Sequence, residues 1–405
     1  MKSKTKKRVL KIAVVLAVML LLYFTALQLL LRTSMGTECH IRNFYREPKN
    51  TLDVAVIGCS EMYADFSPPI AYDHSGFTSY NLAYEGAPGR FYNSMLTEFL
   101  SRQDPQLVVF EVNGFFYNQE YCEREGSRRK WLDNMDMNAN WAELIRTEIP
   151  REEQLSYYLR MIKYHSNWER PEGQMKRAYN LLLNNKYDVS MMKSFGTRTT
   201  NRSKKIVKRK GAPRFNDYGR KQFADTLAFC QEQGLENVLF IHAPHQDHLE
   251  EDTEKELYDA ITAAGYDYID LDDYADEIGI DMETDFYNRD HLNVFGNEKC
   301  TKYLADYITE NYDINTDHSE KTDKQWEQCA EYTINAFEVL KQRTLDNEDA
   351  AYSEFTDMTE EGKTRRDNYQ KRKSKKLEEG DPEFIEEAEA ENEDMAPEDQ
   401  IVINK

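Results

Sequence analysis

The sequence has 405 residues, enough for two or three compact units; 31% of them are charged and the formal net charge is −21. So acidic a chain is unsuited to tracking phosphate backbones, which excludes a nucleic-acid reader as its whole-chain role; no nucleic-acid partner is expected. With 40% hydrophobic and 12% aromatic residues it carries material for a real core, which excludes collagen-like and wholly disordered chains.

Residues 12–31 read IAVVLAVMLLLYFTALQLLL, twenty residues without a charge, the length needed to cross a bilayer. Lys2, Lys4, Lys6, Lys7, Arg8 and Lys11 precede the run with no acid among them, so the positive-inside rule predicts a cytoplasmic segment 1–11, a transmembrane helix at 12–32, a linker at 33–50 and an outward-facing remainder. The competing reading is a cleaved signal peptide. The run is longer than such a peptide's apolar region and no A-x-A site follows Leu31. Thr37-Glu38-Cys39 lacks the small apolar residues of a lipoprotein box, so lipidation of Cys39 is not expected.

From about Thr51 to Ile314, short β-branched runs alternate with longer amphipathic stretches. DVAVIG at 53–58, QLVVFEV at 106–112, NVLFIHA at 237–243 and YDYIDL at 266–271 are near-continuous apolar runs of strand length, as strands covered on both faces require. Helical patterns fall at 90–101, 218–233 and 254–264, the last ending at Gly265, where a C-cap glycine belongs. The alternation predicts an α/β class, a doubly wound and mostly parallel sheet over 51–320, whose ligands bind at the carboxyl ends of its strands.

An insert at 117–213 interrupts the alternation, carries Trp131, Trp141 and Trp168, and ends in RSKKIVKRK at 202–210. That basic stretch reads as a solvated loop near the membrane or as a patch for anionic polymer or lipid headgroups. Trp326, Cys329, Thr333, Phe337 and Leu340 are spaced for one face of an amphipathic helix at 321–343 that packs on the domain. From 344 to 405 charge blocks take over. KRKSKK at 371–376 is followed, from Glu378 to Asp399, by twelve acids and no base, a composition that predicts a disordered acidic tail. Cys39, Cys59, Cys122, Cys230, Cys300 and Cys329 include no C-x-x-C pair, and no disulfide is expected.

Two loops carry the chemistry. The first strand runs into Gly58-Cys59-Ser60-Glu61, placing a serine where a strand ends and a helix begins, either as an exposed nucleophile or as a helix cap. At the far end, DFYNRDHLNVFGNEK at 285–299 places His291 just before a helix. Serine and histidine at one sheet edge are what a triad needs. His242, His245 and His248, with Asp247, follow a strand, yet no four-ligand set with zinc spacing completes them, and neither a metal nor another cofactor is expected. Asp270, Asp272 and Asp273 read as a solvated strand end.

VIGCSEMYADFSP around the serine, YNLAYEGAPG, PQLVVFEVN and NRDHLNVFG, spread over roughly 52–320, together resemble the SGNH/GDSL hydrolase superfamily, in particular its membrane-anchored branch of D-alanyl-lipoteichoic acid biosynthesis proteins. The resemblance implies Ser60 as nucleophile, His291 as base, and the Ser60 amide, Gly86 and Asn113 as an oxyanion hole. The G-x-N order usual around the asparagine is absent here. The family keeps an aspartate three residues before the histidine; this chain has Asn288, with Asp285 and Asp290 as substitutes nearby. In one serine triad that exchange costs about 10⁴ in kcat. The resemblance therefore implies either a serine esterase or O-acyltransferase acting on a cell-wall polysaccharide or teichoic acid, or a catalytically silent relative that binds such a polymer or a membrane O-acyltransferase partner. Either is expected at the cell membrane as a single-pass protein with its domain outside.

Overall fold

Continuous apolar runs fold here as buried strands because both faces of each are covered. In the computed structural model, residues 2–30, 35–166, 189–199, 215–246, 248–346, 351–353 and 375 are described. The chain divides into two compact units, residues 1–38 with 132–188, and 39–131 with 189–405. The strands are β1 (Val54–Gly58), β2 (Ser79–Ala83), β3 (Leu107–Glu111), β4 (Gly196–Arg198), β5 (Val238–His242), β6 (Asp267–Asp270) and β7 (Ala351–Ser353).

Five of them form one parallel sheet in the order β2-β1-β3-β5-β6. From β1 the chain goes first to one side, to β2, and then crosses to the other, to β3. That reversal opens a crevice between the carboxyl ends of β1 and β3, the place where open α/β sheets hold ligands. The expected α/β class and parallel sheet are borne out, as are the four expected strands. β2 lay unmarked inside the YNLAYEGAPG motif: SYNLA carries two polar side chains, and Asn81 satisfies its amide by donating to the carbonyls of Met62 and Phe66.

One face of the sheet buries Val54, Val56, Val109, Leu239 and Ile241 against Leu304 and Ile308 of the helix Val294–Asn311. The other face is aromatic. Phe110 stacks on Phe240 and on Tyr92 of the helix Tyr92–Leu100, and Phe223 of the helix Asp217–Glu232 meets Phe240 edge-on. Full burial of each such side chain contributes about 1.5–3 kcal/mol, which fixes the strand ends that carry the functional loops. The third expected helix runs Glu251–Ala263, and Gly265 follows it at φ +87°, the left-handed geometry glycine tolerates best.

The helix Glu320–Leu345 buries all five residues expected on its inner face. There the ring of Trp326 meets the ammonium of Lys193, itself bonded to Glu47 at 2.7 Å in a fully buried pair. The expectation of disorder from 344 onward is corrected at its beginning: the helix continues to Leu345, and β7 pairs antiparallel with β4 from inside the 344–405 segment. The basic stretch 202–210, the acidic run 378–399, Trp168 and Asp247 lie outside the described residues.

In the other unit, the helix Ala139–Glu148 seats Trp141, whose indole donates to the carbonyl of Leu132. The apolar run 12–31 falls on the helix Lys2–Leu30. Its described side chains are exposed on every side, from Val9 to Leu22, rather than along one stripe. Among the described residues no helix is long and apolar enough to cross a membrane; the described part of this one stops short of the end of the run.

Candidate active site

β1 ends at Gly58, where a Cβ would stand 2.5 Å from the Met62 side chain and 2.8 Å from that of Glu111, so only glycine lets the chain turn there. Cys59 follows in extended backbone and Ser60 opens the helix Ser60–Asp65. The Ser60 hydroxyl donates to Glu61 Oε2 at 3.1 Å.

His291 stands in the loop before the helix Val294–Asn311. The loop is closed on itself by the Tyr287 amide donating to the His291 carbonyl, and Tyr287 stacks on the imidazole at 5.2 Å. Nδ1 of His291 lies 2.9 Å from Asn288 Oδ1, the position at which the sequence departs from the resembled family. Its Nε2 is buried and makes no hydrogen bond. Burial pushes the His291 pKa below its ordinary value, against the pull of Glu61 and Asp290. The ring is therefore neutral at pH 7, the state a base needs.

Serine helix and histidine loop are pinned to each other across most of the sequence. Asp65 Oδ1 accepts from the Leu292 amide at 2.8 Å, Asn297 donates to the Ala64 carbonyl at 2.6 Å, and the Ser67 amide donates to Thr301 at 2.9 Å. These bonds bring the two segments to one sheet edge. They stop short of a Ser60–His291 hydrogen bond, because the serine hydroxyl is turned to Glu61.

Gly86, after β2, sits at φ +62° with its carbonyl accepting from Tyr121, and a Cβ there would stand 2.0 Å from the tyrosine oxygen. Asn113, after β3, is more committed than a waiting oxyanion donor: its backbone amide donates to Glu111 and its side-chain amide faces Glu61 Oε1 at 3.3 Å and His245 Nε2 at 3.1 Å. Asp285 is spent on Lys299 at 2.7 Å, so it is not the substitute for the missing aspartate. Asp290 donates its amide to Asn288 Oδ1, fixing the asparagine that faces His291.

Two acids escaped the sequence reading. Glu61 joins Ser60, Asn113 and, at 3.8 Å, His245. Glu111 lies in β3, fully buried, with Cys59 Sγ 2.9 Å from its carboxyl and 2.6 Å from that of Glu61. Burial and the charge of Glu61 push Glu111 up to about 8, so it holds its proton at neutral pH while Glu61 is ionised. Glu111 had left a signal, an acid inside the apolar run VVFEV, since a charge in a fully covered strand needs partners.

The end of β6 is also corrected. Asp270 and Asp272 are buried at 5% and 4% exposure, the first against the His242 ring at the end of β5 and the second against the His245 amide in the loop after it. Asp270 accepts from His242 Nδ1 at 2.9 Å, and His242 Nε2 faces His245 Nδ1 at 3.0 Å. Among the described residues two groups of three donors lie within 4.8 Å of one another: His242, His245 and Asp272, and Cys59, Glu61 and Glu111. All six cysteines are buried thiols, none of them in a disulfide.

No protein-family model, no curated protein and no solved structure matches the chain.

Proposed function

We propose that the chain is a serine esterase or O-acyltransferase of SGNH type, membrane-anchored and extracytoplasmic, resembling the D-alanyl-lipoteichoic acid biosynthesis proteins and acting on acyl groups of a cell-envelope polymer. The observation that carries the reading is the pair of hydrogen bonds binding the His291 loop to the serine helix, together with a neutral, buried His291 whose Nδ1 is held by residue 288 and whose Nε2 is left for a proton. The anchor rests on the helix Lys2–Leu30 and the exposed apolar side chains it carries from Val9 to Leu22.

In this reading Ser60 Oγ turns from Glu61 to His291 as substrate enters and attacks the ester carbonyl. Its proton passes to Nε2, the C–O bond forms, and the oxyanion is met by the Ser60 and Gly86 amides and by Asn113 once its side chain is re-aimed. His291 then returns the proton to the leaving alkoxide as the ester bond breaks, leaving acyl-Ser60. Water gives hydrolysis; a sugar hydroxyl gives transfer. Both nucleophiles lose a proton to the same nitrogen.

A second reading has its own support. The hydroxyl directed to Glu61 and the uncharged Asn288 suit a silent relative that binds polymer or an acyltransferase partner. Turnover of a generic aryl ester decides between them: the enzyme reading expects hydrolysis that Ser60→Ala and His291→Ala each abolish, and hydrolysis indifferent to both would end it.

A further inference from the structure

We propose that His242, His245 and Asp272, with His248 as the outer ligand, bind one divalent transition-metal ion, zinc by the nature of the donors. The inference does not rest on the esterase reading, since none of the four residues takes part in it.

The outer nitrogen of His242 is already placed as a metal-binding histidine requires. A ligating histidine gives its other ring N–H to a carboxylate or carbonyl, which fixes the tautomer. His242 presents Nδ1 to Asp270 at 2.9 Å, leaving Nε2 for the ion. His245 Nε2 stands 3.1 Å from the Asn113 amide nitrogen, which can only donate, and 3.8 Å from Glu61; a ligating His245 would turn its Nε2–H to the Glu61 carboxylate and leave Nδ1 for the ion. These two remaining nitrogens face each other at 3.0 Å.

Asp272 adds an independent observation. Its Oδ1 accepts from the His245 amide at 2.7 Å, but Oδ2 is buried and accepts no hydrogen bond. A carboxylate oxygen without a donor in the interior is destabilising, and a bound ion would satisfy it. The exposed His248 holds Nδ1 3.7 Å from this oxygen. On a tetrahedral zinc with bonds of about 2.0–2.2 Å, neighbouring ligand atoms stand roughly 3.3–3.5 Å apart; one ligand atom each of His242, His245 and Asp272 lies within 4.8 Å of the others, so binding would draw the three side chains together. Two or three imidazoles with one carboxylate favour zinc over magnesium or calcium, which take oxygen. Bound there, the ion would lock His245, and through it Asn113 and Glu61.

The test uses the full chain in detergent, stripped with a chelator and titrated with Co²⁺ and then Zn²⁺. Expected are one ion per chain, a cobalt spectrum of nitrogen and oxygen ligation, and a raised melting temperature. Asp272→Asn and His242→Gln should abolish uptake, and Asp270→Asn should weaken it about 10- to 100-fold by releasing the His242 ring. His248→Ala, at an exposed position that leaves the fold intact, should weaken it roughly tenfold or more. Absence of uptake by folded wild type, full affinity in Asp272→Asn, or a thiolate-to-cobalt band placing the ion at Cys59 would each overturn the proposal.

Discussion

His291 is oriented by an amide oxygen rather than a carboxylate, and that single difference sets what the site can do. Asn288 Oδ1 accepts the Nδ1 proton and so selects the tautomer with Nε2 open, but it adds no charge to stabilise the imidazolium formed during attack. Asn288→Asp should therefore raise aryl ester turnover, by about 10- to 1,000-fold, with steady-state kinetics as the check; the whole penalty of about 10⁴ need not return, because the loop is built around an amide. A rate unchanged in a protein that already turns over would move the third member to Asp290, whose replacement by alanine would then abolish activity.

The pH profile follows from the same ring. A histidine works as a base only when neutral, and burial lowers the His291 pKa, so it stays neutral to lower pH than a free imidazole. The acid limb of kcat/KM should lie below about 6.5. A limb above that value would mean that His291 is not the titrating base.

At the scale of elements, the strands β1, β3, β5 and β6 were legible because each is a continuous apolar run, and the site loops followed from where those runs stop. β2 was not, since Asn81 is satisfied only by carbonyls of the distant Met62 and Phe66. Ser60 and His291 were legible as types at strand and helix boundaries; the contacts around them were not, because Glu61 meets Asn113 and Glu111 meets Cys59 across 52 positions, and Asp65 meets the Leu292 amide across 227, which leaves no local pattern. Asp270 and Asp272 read as solvated for the same reason: their partners, His242 and the His245 amide, lie 28 and 27 positions away.

β4 and β7 make a two-stranded pair of three residues each, and such a pair is marginal unless something covers it. Gly196 and Thr197 are buried, so removing residues 346–405 should expose the β4 backbone and lower the melting temperature by about 2–4 °C for each kcal/mol lost, measured by calorimetry. An unmoved transition would show that β7 adds nothing.

At the scale of the whole molecule, a basic amino end and an apolar helix open an acidic chain of net charge −21. In the proposed single-pass topology, the positive-inside rule puts residues after Arg32 on the outer face. Protease added to intact protoplasts should degrade the sheet-bearing unit while cytoplasmic markers survive. Protection of that unit under the same conditions would reverse the topology.

The central claim is that Ser60 is a nucleophile activated by His291, and a fluorophosphonate probe tests it most directly, because such a probe forms a covalent bond only with a serine whose proton can leave. Peptide mass analysis of the labelled, folded, full-length chain should place one adduct on Ser60, with labelling lost in Ser60→Ala and strongly slowed in His291→Ala. Folded protein that takes no label, or an adduct on another residue that persists in Ser60→Ala, would contradict the account.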